Sequence, residues 1–299
     1  MSFVHTTALG QALAASRYEI VPMRGALEQV RHLPAGSVVT VTCSPKKGVA
    51  ATVELAEQIN ALGHTTVPHL AARRFVSHEH LEQVVARLTR AGINDFFVVG
   101  GDDVPDSDTV PGPFPRGVDL INALAEIKPD IRSVGIPCYP EGHAAIAADA
   151  LDQALDEKYF FAGHMVTQMC FNPEAIRTWL ERIRGRGIDL PVYIGIPGVI
   201  QRHKLLGIAL RIGLGDSTRF LKKSGNVIGQ LASAATYKPD ALVDGVAELL
   251  EDPTLNVVGF HINSFNQIEK TEAWRQQRLA ALEDLVATTE SDGATSQAL

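Results

Sequence analysis

Cysteine is scarce in this chain. The three present, Cys43, Cys138 and Cys170, are odd in number, widely spaced and set in apolar stretches. That argues against a disulfide framework and fits reduced thiols used as small core fillers. No cysteine and histidine cluster has zinc-site spacing. No apolar run reaches the roughly 18 residues that a membrane helix needs. The opening residues, Met1-Ser-Phe-Val-His-Thr-Thr7, lack the basic-then-apolar order of a secretory leader. A soluble, cytoplasmic protein is therefore expected. A basic excess is also missing: the net charge is −7 and the pI is near 5.8, so neither a nucleic-acid nor a membrane partner is expected. There is no Rossmann glycine fingerprint from which to read a dinucleotide preference, no internal repeat and no low-complexity segment.

What is present is ordinary globular composition, 45% hydrophobic and 20% charged over 299 residues. That length allows one large α/β barrel or two domains. The stretch Asp95-Phe-Phe-Val-Val-Gly-Gly-Asp-Asp-Val-Pro105 reads as a buried parallel strand, because a strand covered on both faces is apolar throughout. It ends in two glycines, which permit close backbone approach, and delivers Asp102 and Asp103 at its carboxyl end.

The same pattern recurs along the chain. Strands are expected at 18–22, 37–43, 65–70, from 95, and at 132–139, 160–168, 191–198 and 256–263. Helices are expected at 49–62, 79–91, 144–158 and 264–286. Ser77 and Asn172 read as helix caps, the latter followed by Pro173 at the first helical position. The stretch 200–251 is longer than a simple crossover and reads as a helical insertion after the seventh strand. Eight strands alternating with helices predict a single (β/α)8 TIM barrel over 1–287, with a frayed tail at 288–299. Glu19, Thr42, His69, Asp102, Tyr139, His143, Gln168, Asn263 and Asn266 then fall at or just past successive strand ends. Barrel active sites lie on that face. Any one of these residues has a bland reading as a cap or a satisfied core polar group, and His164, His203 and His261 are left with it.

In their order, these strand ends resemble the methylenetetrahydrofolate reductase family. Tyr18-Glu-Ile-Val-Pro22 resembles its Phe-Glu-Phe-Phe-Pro, and Pro68-His-Leu70 its Pro-His-Leu-Thr. Gly101-Asp102 fits the end of Leu-Arg-Gly-Asp, and Tyr139-Pro-Glu-Gly-His143 fits Tyr-Pro-Glu-x-His. Thr167-Gln168 with Phe171 and Asn172 resembles Thr-Gln-x-x-Phe-Asp, and Ser264-Phe-Asn-Gln267 stands where the family has Thr-Leu-Asn-Arg. The resemblance implies a flavin-linked oxidoreductase of one-carbon metabolism that opens 5,10-methylenetetrahydrofolate to an iminium ion and reduces it to the 5-methyl product, or runs the reverse. It implies Glu19 as general acid, with a carboxyl raised toward neutral by burial among Tyr18, Ile20 and Val21. It implies Asp102 as the charge that stabilises the iminium. Gln168, Phe171, Asn266 and Gln267 would meet the folate, and Thr42, His69, Gly101, Asp102, Tyr139 and His143 would meet FAD. NADH or NADPH would be the hydride source, and a homo-oligomer is allowed.

Departures cluster at the flavin phosphates. Gly100 replaces the family's arginine, and Leu155-Asp-Glu-Lys158 replaces its Lys-Arg-Lys run. Lys46, Lys47, Arg73 and Arg74 on neighbouring loops are candidate substitutes. A flavin-free version, with nicotinamide reducing the iminium directly, stays open. So do a metal-dependent barrel lyase or hydrolase built on Glu19, His69, Asp102 and His143, and a non-catalytic folate or flavin binder.

Overall fold

The computed structural model describes residues 7–102, 112–127, 130–211 and 236–296, with side chains in the last helix described to residue 285. Eight parallel strands close into a barrel: β1 (Arg17–Ile20), β2 (Val38–Val41), β3 (Thr65–Ala71), β4 (Asp95–Val99), β5 (Ser133–Cys138), β6 (His164–Thr167), β7 (Val192–Pro197) and β10 (Val257–Asn263). Neighbours in the barrel follow chain order, and β10 closes against β1, with Arg17 opposite His261 and Glu19 opposite Asn263. This is the (β/α)8 barrel expected from the alternation. Asp103 and the two residues after it lie outside the described residues.

Successive side chains alternate between the barrel interior and the helical shell. Tyr18, Ile20, Val39, Val41, Leu70, Phe96, Val98, Ile136, Ile194, Phe260 and Ile262 face outward and join one continuous core with the surrounding helices. Inside the barrel, Val67, Phe97 and Val166 form a separate small core, with Val38, Val99 and Tyr193 packed against it. The interior is thus a filled plug with polar residues above and below it, which confines chemistry to the mouth. Gly135 marks how tightly the plug is packed, since a Cβ there would lie 2.5 Å from His164 Nε2 and 2.7 Å from Phe97 Cδ2.

Both expected caps form. The Ser77 side chain accepts from His80 N, and that of Asn172 accepts from Glu174 N ahead of the helix Pro173–Gly185. A helix, Ala8–Ala14, precedes β1; it is capped by Thr7 and buries Leu9, Ala12 and Leu13 along one face. Three readings need correction. The helix expected from 144 starts at Ala148. Phe160 and Phe161 belong to a 3-10 turn, Tyr159–Phe161, with their rings exposed, so β6 begins at His164. The last helix runs Ile268–Ser296 where a frayed end was expected, because extending an existing helix costs far less than nucleating one. The insertion after β7 is helical where described, at Arg202–Arg211, Asp240–Gly245 and Ala247–Glu251. It also contains a two-stranded antiparallel sheet, β8 (Ile200–Gln201) with β9 (Thr236–Tyr237). Among the described residues no helix is long and apolar enough to cross a membrane.

Candidate active site

Alternation along β1 turns Arg17 and Glu19 inward and sends Tyr18 and Ile20 to the shell. Glu19 Oε2 accepts from His261 Nε2 on β10 at 2.9 Å, and Oε1 accepts from the Thr42 hydroxyl at 3.1 Å. His261 is 3% exposed, whereas 22% of the Glu19 side chain remains accessible. The carboxyl is therefore the outermost member of the pair. Burial pushes the Glu19 carboxyl up. The hydrogen bond from His261, the nearby His69 and the Thr42 hydroxyl outweigh it and hold the group at about 2. This reverses the expectation of a carboxyl raised toward neutral. The apolar neighbours invoked for that, Tyr18 and Ile20, point to the other face of the sheet.

His69 is buried, packs on Phe97 with ring centroids 4.8 Å apart, and its Nε2 has no hydrogen-bond partner among the described residues. Burial pushes it down to about 4, so it is neutral at pH 7 and the hydrogen bonds carry the lowering of Glu19 there. Below the plug, Arg17 Nη1 donates to His164 Nε2 at 2.9 Å, and Nη2 donates to the Tyr193 hydroxyl at 2.7 Å. The guanidinium carbon lies 3.7 Å from the centroid of the Tyr193 ring. Burial, reinforced by Arg17, pushes His164 down to about 3.

Both histidines bind protons more weakly folded than unfolded. Their share of stability is complete above about pH 6.5 and is lost as pH falls toward 4 and 3. At pH 5 each is expected to cost on the order of 2 kcal/mol. Denaturant unfolding of the unaltered protein at pH 7 and pH 5 should show this loss, and His164→Gln should shrink it. An unchanged difference in that variant would refute the assignment.

The loops above the barrel hold the other expected residues. Gly101 has φ +81, and a Cβ there would lie 3.2 Å from Ala71 Cβ, so the turn requires glycine. Asp102 follows and is exposed. Arg73 donates its backbone N–H to Gly100 O at 3.1 Å and Nη1 to Gly101 O at 2.5 Å, and Arg74 reaches Asp102 O at 3.4 Å. Arg73 Nη1 is also 3.8 Å from where a Cβ on Gly100 would stand, so a guanidinium reaches this turn from the neighbouring loop. Lys46 and Lys47 are exposed on the loop after β2.

Tyr139 and His143 stack edge to face at 5.3 Å. Tyr139 also lines a cleft of about 460 Å³, together with Pro140, Gly142 and the half-buried Lys158. The Gln168 side chain accepts from its neighbour Met169 N. Phe171 is buried in a small apolar cluster with Met169, Ile200, Leu205 and Ala209, which makes it a wall under the insertion. Asn266 has both ends of its amide committed: Oδ1 accepts from Val21 N at 2.8 Å and Nδ2 donates to Val21 O at 2.9 Å. The amide thus clamps the end of β1 while Asn266 also lines the cleft beside Gln267. Gln267 sits on the rim in a separate polar cleft with Gln201, Lys204 and Lys270.

Three residues passed over in the sequence matter here. His261 is one. Its only signal was that it shares a face with Asn263 at period two. Glu141 is another: its Oε1 accepts from Phe171 N and Asn172 N at 2.8 and 2.7 Å, tying the loops after β5 and β6 together. Arg17 is the third, placed inward by the same alternation as Glu19. Among the described residues no three His, Cys, Asp or Glu side chains are grouped to hold a metal ion, so Glu19, His69, Asp102 and His143 are not brought together as a ligand set.

Comparison with known proteins bears on this geometry. The chain is 24% identical over 178 residues to methylenetetrahydrofolate reductase 1 of Schizosaccharomyces pombe, covering 54% of this chain and 28% of that protein. It is 25% identical over 150 residues to methylenetetrahydrofolate reductase 2 of Saccharomyces cerevisiae, covering 47% of this chain and 24% of that protein. The matches thus span about a quarter of the length of these relatives. Among solved structures it is similar to a 2,3-dimethylmalate lyase of the PEP mutase/isocitrate lyase superfamily, at 14% identity and a TM-score of 0.49 over 96% of this chain and 87% of that one. That likeness is too distant to carry a functional inference. Residues 23–275 match the family described as methylenetetrahydrofolate reductase, a span that takes in every strand-end motif except the one carrying Glu19. The chain belongs to the methylenetetrahydrofolate reductase family.

Proposed function

We propose that this protein is a cytoplasmic oxidoreductase that reduces 5,10-methylenetetrahydrofolate to 5-methyltetrahydrofolate, with NADH or NADPH as hydride source and FAD as relay. The observation that carries the reading is Glu19. It is an inward carboxyl at the mouth of a family barrel, buttressed by His261 and Thr42, with its accessible edge where a substrate would lie. In this reading Glu19, ionised at rest, takes up a proton from solvent once the folate is bound and delivers it to N10, whose bond to the bridging carbon breaks with the electron pair going to N10. Asp102, exposed just past the end of β4, would supply the negative charge that favours the resulting cationic iminium. Gln168 offers an amide that can donate to and accept from a pterin edge.

The residues fit a flavin. Gly101 leaves a bare backbone turn, Tyr139 and His143 form an aromatic wall, and Arg73 and Lys158 place positive charge beside the turn and the cleft. Bound there, FAD would supply hydride acceptance and donation. The flavin-free version draws its support from the replaced basic run. On that helix Asp152 pairs with Arg182 and Arg186, Asp156 with Arg186 and Glu157 with Arg116, so three of its four acidic residues are engaged in salt bridges and Lys158 is its one basic residue.

The deciding experiment is the absorbance spectrum of purified protein after addition of FAD and desalting, together with NAD(P)H oxidation in the presence of methylenetetrahydrofolate. A retained flavin band with turnover supports the relay. Turnover by colourless protein supports direct transfer, and no turnover in either form overturns the reductase reading. Arg73→Ala should weaken FAD binding by roughly 10- to 150-fold, the loss of one charge-assisted contact. Flavin fluorescence titration measures it, and unchanged affinity would remove Arg73 from the phosphate site.

A further inference from the structure

His261 is almost completely buried, and its Nδ1 has no hydrogen-bond partner among the described residues. That is unusual for an imidazole bonded to a carboxylate. A histidine that serves a single protonation state commonly has its second ring nitrogen tied to another group, which fixes the tautomer. Here Nε2 meets Glu19 Oε2 at 2.9 Å and nothing fixes the other side. With the proton on Nε2, the ring donates to an ionised carboxyl. With the proton on Nδ1, Nε2 accepts from a protonated one; the second state holds one proton more, the one that Glu19 takes up from solvent. The remaining groups around the pair are Arg17 on β1, the Thr42 hydroxyl just past β2, His69 on β3, His164 on β6 and Tyr193 on β7. Arg17 is occupied by His164 and Tyr193, and Thr42 bonds the other carboxyl oxygen.

We propose that His261 is the positioning residue of Glu19, holding the carboxyl in one place in both its ionised and protonated forms by exchanging tautomers. This rests on the reductase reading only where turnover is concerned. An acid that must be ionised in one half of a cycle and protonated in the other needs a neighbour able to reverse its hydrogen bond. A fixed donor such as lysine serves only the ionised form, whereas an amide serves both by rotating. His261 does so from behind the carboxyl and out of reach of substrate.

The test compares His261→Leu with His261→Gln in full-length protein, after circular dichroism has shown that each is folded. Glu19 is read directly by its carboxyl carbon resonance in protein labelled at glutamate, assigned with Glu19→Gln. In His261→Leu the opposing hydrogen bond is gone and burial is left to act. The Glu19 titration should rise by at least one pH unit, and kcat should fall at least tenfold with its pH profile displaced, while the folate KM stays within about threefold. His261→Gln should restore most of kcat. If His261→Leu leaves both the Glu19 titration and the pH profile in place, the proposal is wrong. It is equally wrong if the glutamine variant is as impaired as the leucine one. The resonance needs no turnover: a shifted titration in a protein that never reduces methylenetetrahydrofolate upholds the pairing and removes the reductase reading. Normal turnover with neither property altered does the opposite.

Discussion

Glu19→Gln is expected to lower kcat by about 100- to 10,000-fold, the usual range for loss of a general acid, with folate binding changed by less than about threefold. An amide of nearly the same shape can accept from Thr42 through its oxygen and donate to His261 Nε2 through its nitrogen, so the site keeps its geometry and loses only the proton. Stopped-flow reduction of methylenetetrahydrofolate, alongside equilibrium binding of the product, separates the two quantities. A variant that keeps full kcat would show that N10 is protonated from elsewhere. Weak folate binding with a near-normal rate would make Glu19 a binding group. The pH profile carries a related expectation. Because the carboxyl is held near 2, the resting group is ionised at neutral pH and must gain its proton during the cycle, so kcat should decline on the alkaline side.

Glu272→Ala is expected to cost about 3–5 kcal/mol of stability, since it strands a buried charge. Glu272 on the last helix accepts from Arg275 at 2.8 and 2.7 Å, from the Tyr18 hydroxyl at 2.5 Å and from Gln276 at 2.7 Å. Arg275 is 5% exposed and also bonds Leu13 O at the end of the first helix. Removing the carboxylate leaves the guanidinium in the shell behind β1 with only the Leu13 and Ala14 carbonyls as acceptors, and takes the Tyr18 hydroxyl's acceptor away. Glu272→Gln should cost less, about 1–3 kcal/mol, because one acceptor survives. Burial pushes this carboxyl up, but its hydrogen bonds prevail and hold it low. Its contribution is full above about pH 4.5 and is lost as pH falls through the folded value. Urea unfolding at pH 7 with an unchanged slope measures the loss; a cost under about 1 kcal/mol would mean that the network relaxes without it.

The barrel was legible because strands covered on both faces cannot hide: each is an apolar run closed by glycine, proline or a polar residue, and the caps at Ser77 and Asn172 follow from local chemistry. Residues in the turns after strands were placed correctly for the same reason. What escaped had other causes. Phe160 and Phe161 look like strand, but two aromatic rings in an exposed 3-10 turn satisfy the same composition. Asn266 carries an amide suited to a ligand, and only the fold shows Val21 taking both ends of it. The environment of Glu19 was misjudged because its neighbours in sequence face away from it, while the partner that sets its charge is 242 residues distant. Period-two alternation was enough to separate Tyr18 from Glu19. No local pattern could have brought His261 to it.

That separation has a consequence for how the chain acquires function during synthesis. β1 is made before the other barrel strands, yet His261, Ser264, Asn266, Glu272 and Arg275, which hold it in place, all follow β7 in the chain. Pairings between remote segments carry a loop-closure cost and form slowly. The nascent barrel therefore stays open at the β1 edge until β10 has been made, and the acid is assembled in the step that seals the fold. A ribosome stalled before residue 261 would display a chain with most of its strands and none of its chemistry.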